Sequence, residues 1–92
     1  MRQELAENAA IELLGWMAGR DDLLPLFLGA TGAGLDDLRM RAGEPEFLAS
    51  LVDFVMMDDK WLLDAATDMG WPPERIAEIR AGLPGGDLPH WT

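Results

Sequence analysis

The sequence lacks cysteine and tyrosine, and it contains a single serine and a single histidine. The missing cysteines exclude disulfide bonds, cysteine-ligated zinc and thiol catalysis. Ser50 lies within a predicted helix without the sharp turn of a nucleophile, and His90 lies beside the C-terminus with no nucleophile motif nearby. We therefore expect a non-enzymatic protein with no catalytic residue, no metal and no cofactor. A hydrolase or metal enzyme that pairs His90 with carboxylates is the weaker alternative.

Basic residues are also scarce, with seven Lys and Arg against 17 Asp and Glu, which gives a net charge of -10. This balance argues against binding to nucleic acid phosphates or to an anionic membrane, because both need clustered positive charge. It permits a different partner, a protein with a basic surface. The paired acids Asp21-Asp22, Asp36-Asp37 and Asp58-Asp59 each precede an apolar run, so we interpret them as helix caps and not as cation ligands.

No stretch approaches the ~20 apolar residues that a transmembrane helix needs. The amino-terminal segment carries acidic residues where a signal peptide has an uninterrupted apolar run, so we expect a cytoplasmic protein. A length of 92 residues suits one domain, residues 1–92, and 49% hydrophobic residues suffice for a core.

Apolar residues recur with helical periodicity throughout the chain, and no segment shows the alternation of a strand. Glycines, prolines and acidic residues mark the ends of the helices. The predicted helices are Gln3–Ala18, a second capped by Asp21 or Asp22, Leu35–Ala42 capped by Asp36, a fourth from Pro45, a fifth capped by Asp58 or Asp59, and a sixth from Pro73. The predicted fold is all-α, a compact bundle of five to six short helices with an extended C-terminal tail over residues 84–92.

The second helix contains the segment "LLPLFLGA", whose apolar residues surround nearly the whole helical wheel. A helix that is apolar on all sides is typical of a buried position, so this helix should be the most buried of the bundle. In the first helix, Leu5 lies on the predicted core stripe, whereas Ile11 lies off it. Ile11 is either a solitary exposed apolar residue or a contact to a second subunit.

Two further places are candidates for contact with a partner. The adjacent Met56 and Met57 cannot both face the core, and flexible methionines suit either gap filling or an adaptable binding surface. The tail carries Leu88, His90 and Trp91 after a Gly-Gly pair. Leu88 and Trp91 are predicted to fold back as a clip over the core, and the alternative is a peptide motif that another protein binds through Trp91.

The sequence resembles a family of short, acidic, all-helical bacterial proteins that is known as domain of unknown function 3572. The resemblance spans nearly the whole chain and depends on "FLGATGAGLDDLRMRAGEPEFLASLVDFVMMDD", on the turn from Gly70 to Pro73, and on "LPGGDLPHWT". None of these segments is a catalytic signature. The resemblance implies a small helical cytoplasmic protein and supplies no functional residues.

These observations predict a small helical protein-interaction module that binds another protein or forms a homodimer. The candidate contact residues are Ile11, Met56, Met57, Leu88, His90 and Trp91. The alternative function is that of an acidic regulator, which binds a basic protein or mimics nucleic acid.

Overall fold

Six α-helices follow one another along residues 1–85, the part of the chain that the computed structural model describes. They are α1 (Gln3–Ala18), α2 (Leu24–Thr31), α3 (Leu35–Arg41), α4 (Pro45–Met56), α5 (Asp59–Met69) and α6 (Glu74–Ala81). No strand occurs within these residues. The all-α prediction is confirmed, whereas the predictions for Leu88, His90 and Trp91 concern residues outside the described part.

Glycine, proline and aspartate fix most of the helix ends, as the sequence predicts. Gly32 and Gly70 end α2 and α5 with φ of 74° and 72°, a left-handed conformation that glycine adopts without steric cost. Pro45 occupies the first position of α4. Asp58 caps α5, since its side chain accepts a hydrogen bond from the Lys60 backbone N–H at 2.8 Å.

Two predicted caps are wrong. The cap position of α2 is Leu23, because Asp22 instead pairs with the Arg20 side chain at 3.0 Å. In α3 the helix already begins at Leu35, so Asp36 lies inside its first turn. Gly34 precedes this helix, and its backbone N–H donates to the Asp37 carboxylate at 3.0 Å.

The core lies where α1, α4, α5 and α6 pack against one another. Helix α4 is central because it buries seven of its twelve residues: Phe47, Leu48, Ala49, Leu51, Val52, Phe54 and Val55. Helix α1 covers it with a stripe of small and large residues, and α6 adds Ile76 and Ile79. The Trp61 ring stacks on Phe54 with centroids 4.8 Å apart, which attaches α5 to the same face.

The prediction that the second helix is the most buried is wrong. Only Phe27 of α2 is buried, and Leu26 beside it is 54% exposed. Phe27 inserts edge-on between Phe47 and Phe54, with centroid distances of 5.6 and 5.4 Å. Helix α2 therefore lies at the periphery, where a neighbour covers one side of it and its remaining apolar side chains stay in contact with solvent.

Leu5 of the predicted core stripe is also exposed, by 56%. It lies on the flank of the stripe in the first turns of α1, beyond the surface that α4 and α6 cover.

The start of α1 meets the end of α6. A Cβ atom placed on Gly82 would lie 2.8 Å from both the Ala6 Cβ and the Met1 carbonyl oxygen. Nearby, the Arg80 guanidinium donates to Asp53 of α4 at 2.7 Å and to the Pro84 carbonyl at 2.9 Å. These contacts bring the end of α6 against both α1 and α4. None of the helices in residues 1–85 is both long and apolar enough to span a membrane.

Candidate interaction surface

Large apolar side chains are exposed at several places on the surface of residues 1–85. Those with two fifths or more of their area exposed are Met1, Leu5, Ile11, Leu26, Leu35, Met40, Met57 and Leu63. Single exposed apolar residues are common, so a functional interpretation requires several of them on one element.

The three predicted contact residues that the structure describes differ in exposure. Ile11 is 46% exposed on α1, and Met57 is 77% exposed at the end of α4. Met56 is half-buried and packs against the core, as gap filling would require. Leu88, His90 and Trp91 lie outside the described residues, so neither the clip nor the peptide motif is tested.

A further set of exposed residues, not predicted from the sequence as contacts, lies on what we name the α2–α3 arm, residues 24–41. Here Leu26, Leu35 and Met40 are exposed by 54%, 60% and 80%. The apolar character of α2 is the one sequence signal for this surface, although it also predicts burial within the bundle. A helix that is apolar all round is equally compatible with a surface that a partner covers.

The arm is attached to the bundle by few side chains. Phe27 and the residue that precedes α2, Leu23, are fully buried, while Leu38 of α3 packs against the core from a half-buried position. Helix α3 has no fully buried residue. At the end of α3, Arg41 lies over the Phe47 ring at 4.9 Å and pairs with Glu44 at 3.2 Å. The arm thus consists of two consecutive short helices that few side chains attach to the bundle and whose outer side chains are exposed.

The arm also differs from the rest of the molecule in charge. It contains two acidic residues, Asp36 and Asp37, and two basic residues, Arg39 and Arg41, so its formal net charge is zero. The remainder of the chain therefore carries the whole net charge of -10. The three exposed apolar side chains lie on the neutral part of a strongly acidic protein.

Ion pairs at the junction of α1 and α5 have a structural role. Arg20 pairs with Asp22 at 3.0 Å and lies 3.6 Å from Asp64, which also pairs with Lys60 at 3.1 Å. The Arg20 guanidinium donates two hydrogen bonds to Asp22, which hold the pKa of that carboxyl below its ordinary value. These groups are in contact with solvent, and they attach the turn after α1 to α5.

No group of three or more His, Asp or Glu side chains within residues 1–85 is arranged to hold a metal ion. His90, the only histidine, lies outside this part of the chain. The predictions of no metal, no cofactor and no catalytic residue therefore stay predictions.

The chain was compared with known protein families, curated proteins and solved structures. A family described as "Protein of unknown function (DUF3572)" matches residues 3–86. No curated protein and no solved structure matches the chain. The match covers all six helices, including both helices of the arm.

Proposed function

The chain belongs to the DUF3572 family, and since that description assigns no activity, we propose from the surface that the protein is a non-enzymatic interaction module. It works by binding another protein or a second copy of itself. In keeping with the resemblance, we also propose that this module works in the bacterial cytoplasm.

The exposure of Leu26, Leu35 and Met40 on one short arm is the observation that carries the proposal. Full burial of a side chain of this size is worth about 1.5–3 kcal/mol, and the exposed parts of these three side chains retain a share of that energy for binding. No residue within 1–85 covers the outer side of the arm. A partner that covers it would gain this energy, reduced by the cost of association.

The contact residues predicted from the sequence extend the surface under this proposal. Met57 offers a flexible, exposed side chain beyond the end of α4, and Ile11 offers a branched one on α1. Leu88, His90 and Trp91 remain proposed contacts of the tail.

The acidic regulator remains a second candidate because most basic side chains are already occupied. Arg20, Arg41, Lys60 and Arg80 each pair with a carboxylate of the same chain. The charge that the surface presents to a partner is therefore predominantly negative. Binding through this surface would weaken steeply with salt, whereas binding through the arm would depend little on salt.

The proposal is tested by isolating the tagged full-length chain from cells that make it, alongside a variant with Leu26, Leu35 and Met40 all replaced by serine. Since these side chains are exposed, the variant should keep its thermal midpoint. We expect at least one protein, an untagged copy of the chain included, to accompany the wild type and to be lost from the variant.

Identical sets of proteins recovered with wild type and variant would contradict binding through the arm. If the proteins recovered with both wild type and variant were also lost at high salt, the result would favour the acidic regulator instead.

A further inference from the structure

We propose that the α2–α3 arm binds a second copy of the same arm, and that the two α3 helices pair antiparallel in a symmetric homodimer. This inference rests on the proposed function, since it names the partner of the same surface. It is argued from the distribution of charge, the order of charges along α3 and the exposed side chains.

The distribution of charge restricts where two copies can meet. Each copy carries a net charge of -10, and like charges repel wherever two acidic surfaces approach. In the arm, as in α6, acidic and basic residues balance, but only the arm of these two also has large exposed apolar side chains. Contact between two arms therefore avoids the repulsion that two acidic surfaces would meet.

The order of charges along α3 favours one orientation. Asp36 and Asp37 lie in its first turn, and Arg39 and Arg41 lie in its last turn. In an antiparallel pair, the acidic end of each helix lies beside the basic end of the other. A parallel pair would bring like ends together. The antiparallel arrangement has the two-fold symmetry that most homodimers adopt, in which the same patch contacts itself.

The side chains that this pairing needs point outward. Leu38 packs inward against the core, while Asp36 and Met40, four residues apart, share the opposite face of the helix. Asp36 and Arg39 form no ion pair with any other residue of the described part. They are thus free to pair with a second copy, whereas Arg41 is engaged by Glu44.

Met40, 80% exposed on the outer face of α3, supplies the apolar centre of the contact. Leu35 at the first position of α3 and Leu26 on the exposed side of α2 are further exposed apolar side chains of the arm. Since two short helices per copy form a small contact area, we expect a reversible dimer with a Kd on the order of micromolar.

The experiment measures the mass of the full-length chain by sedimentation and light scattering over a range of concentrations. The wild type should shift from 10.1 kDa to twice that mass as concentration rises. Asp36→Lys and Arg39→Glu should each raise the dimer Kd about tenfold, because every substitution occurs twice in a symmetric contact. Circular dichroism on each variant verifies that the helices are retained.

A mixture of the two variants provides the decisive test. In the mixed heterodimer, the lysine introduced at position 36 of one chain would lie beside the glutamate introduced at position 39 of the other. The native Arg39 of the first chain would lie beside the native Asp36 of the second. Both opposite-charge pairs are then present, so the heterodimer should regain wild-type affinity. In a parallel dimer, by contrast, Asp36→Lys would exchange one like-charge pair for another and would not weaken it. A variant that dimerises as tightly as the wild type would overturn the antiparallel pairing.

Met40→Gln and Leu63→Gln form a control pair, since Met40 is 80% exposed on α3 and Leu63 is 51% exposed on α5. Met40→Gln should weaken the dimer about tenfold, and Leu63→Gln should leave it unchanged. The opposite pattern would overturn the assignment to the arm. A wild type that stays at 10.1 kDa throughout would overturn the dimer. The proposed function would survive that result if the isolation experiment recovers a different protein through the arm.

Discussion

Replacing Gly82 by alanine should destabilise the fold, although the backbone there suits any residue. The φ of Gly82 is -83°, so alanine needs no left-handed conformation there. The expected loss of stability therefore comes only from steric overlap of the new Cβ atom. The new Cβ would lie 2.8 Å from the Ala6 Cβ and 2.8 Å from the Met1 carbonyl oxygen. Both neighbours are short or belong to the backbone, so neither can rotate away, and α1 and α6 must separate.

Overpacking of this kind costs about 1–3 kcal/mol of the free energy of unfolding. For a domain of this size, each kcal/mol lowers the thermal midpoint by about 4–8 °C. Thermal unfolding followed by circular dichroism measures this change directly. The loss should be large, because total stabilities are only about 5–15 kcal/mol.

Gly15→Ala is the matched control. Gly15 lies within α1, and a Cβ there would have no atom within 4 Å. Alanine should therefore stabilise the helix by about 0.5–1 kcal/mol through its higher helix propensity. If Gly82→Ala raised the midpoint as Gly15→Ala does, the close approach between α1 and α6 would be refuted.

Three further predictions concern single side chains. Phe27→Ala should cost about 3–5 kcal/mol because it removes the ring that attaches the arm, whereas Leu26→Ala should change the free energy of unfolding by less than about 0.5 kcal/mol, as urea denaturation would show. Asp58→Ala should cost about 1 kcal/mol in the same assay through the lost cap of α5, and an unchanged midpoint would contradict that cap. The native pKa of Asp22 lies below 3.8, so its contribution to stability is present above pH 3.8 and is lost as the pH falls below it. Asp22→Asn should therefore lower the urea midpoint at neutral pH but not in acid, and a pH-independent difference would contradict a role for Arg20.

Helix order and the core of α4 were predictable because they depend on local signals. Gly32 and Gly70 end helices through a conformation that glycine adopts readily, and Pro45 fits the first turn that it occupies. The periodicity of α4 also predicts its inner face, and all six residues of that face are buried: Phe47, Leu48, Leu51, Val52, Phe54 and Val55.

Burial of α2 was not predictable from its own residues. A helical wheel shows which side chains are apolar, but the number of neighbours that cover them is a property of the whole bundle. Helix α4 has neighbours on several sides, whereas α2 reaches the core through Phe27 alone among its residues. Asp36 was predicted as the cap of α3 for a similar reason: an acidic residue before an apolar run is typical of a cap, but the exact start of the helix one residue earlier leaves it within the first turn.

Under the proposed dimer, the two unusual properties of this surface complement each other. An exposed apolar arm by itself promotes nonspecific association with other apolar surfaces, because apolar contacts have little directionality. A net charge of -10 located outside the arm opposes contact between the acidic surfaces of two copies. The opposite charges at the two ends of α3 then select the antiparallel arrangement from those that remain. The acidic surface thereby provides specificity, and Leu26, Leu35 and Met40 provide the affinity.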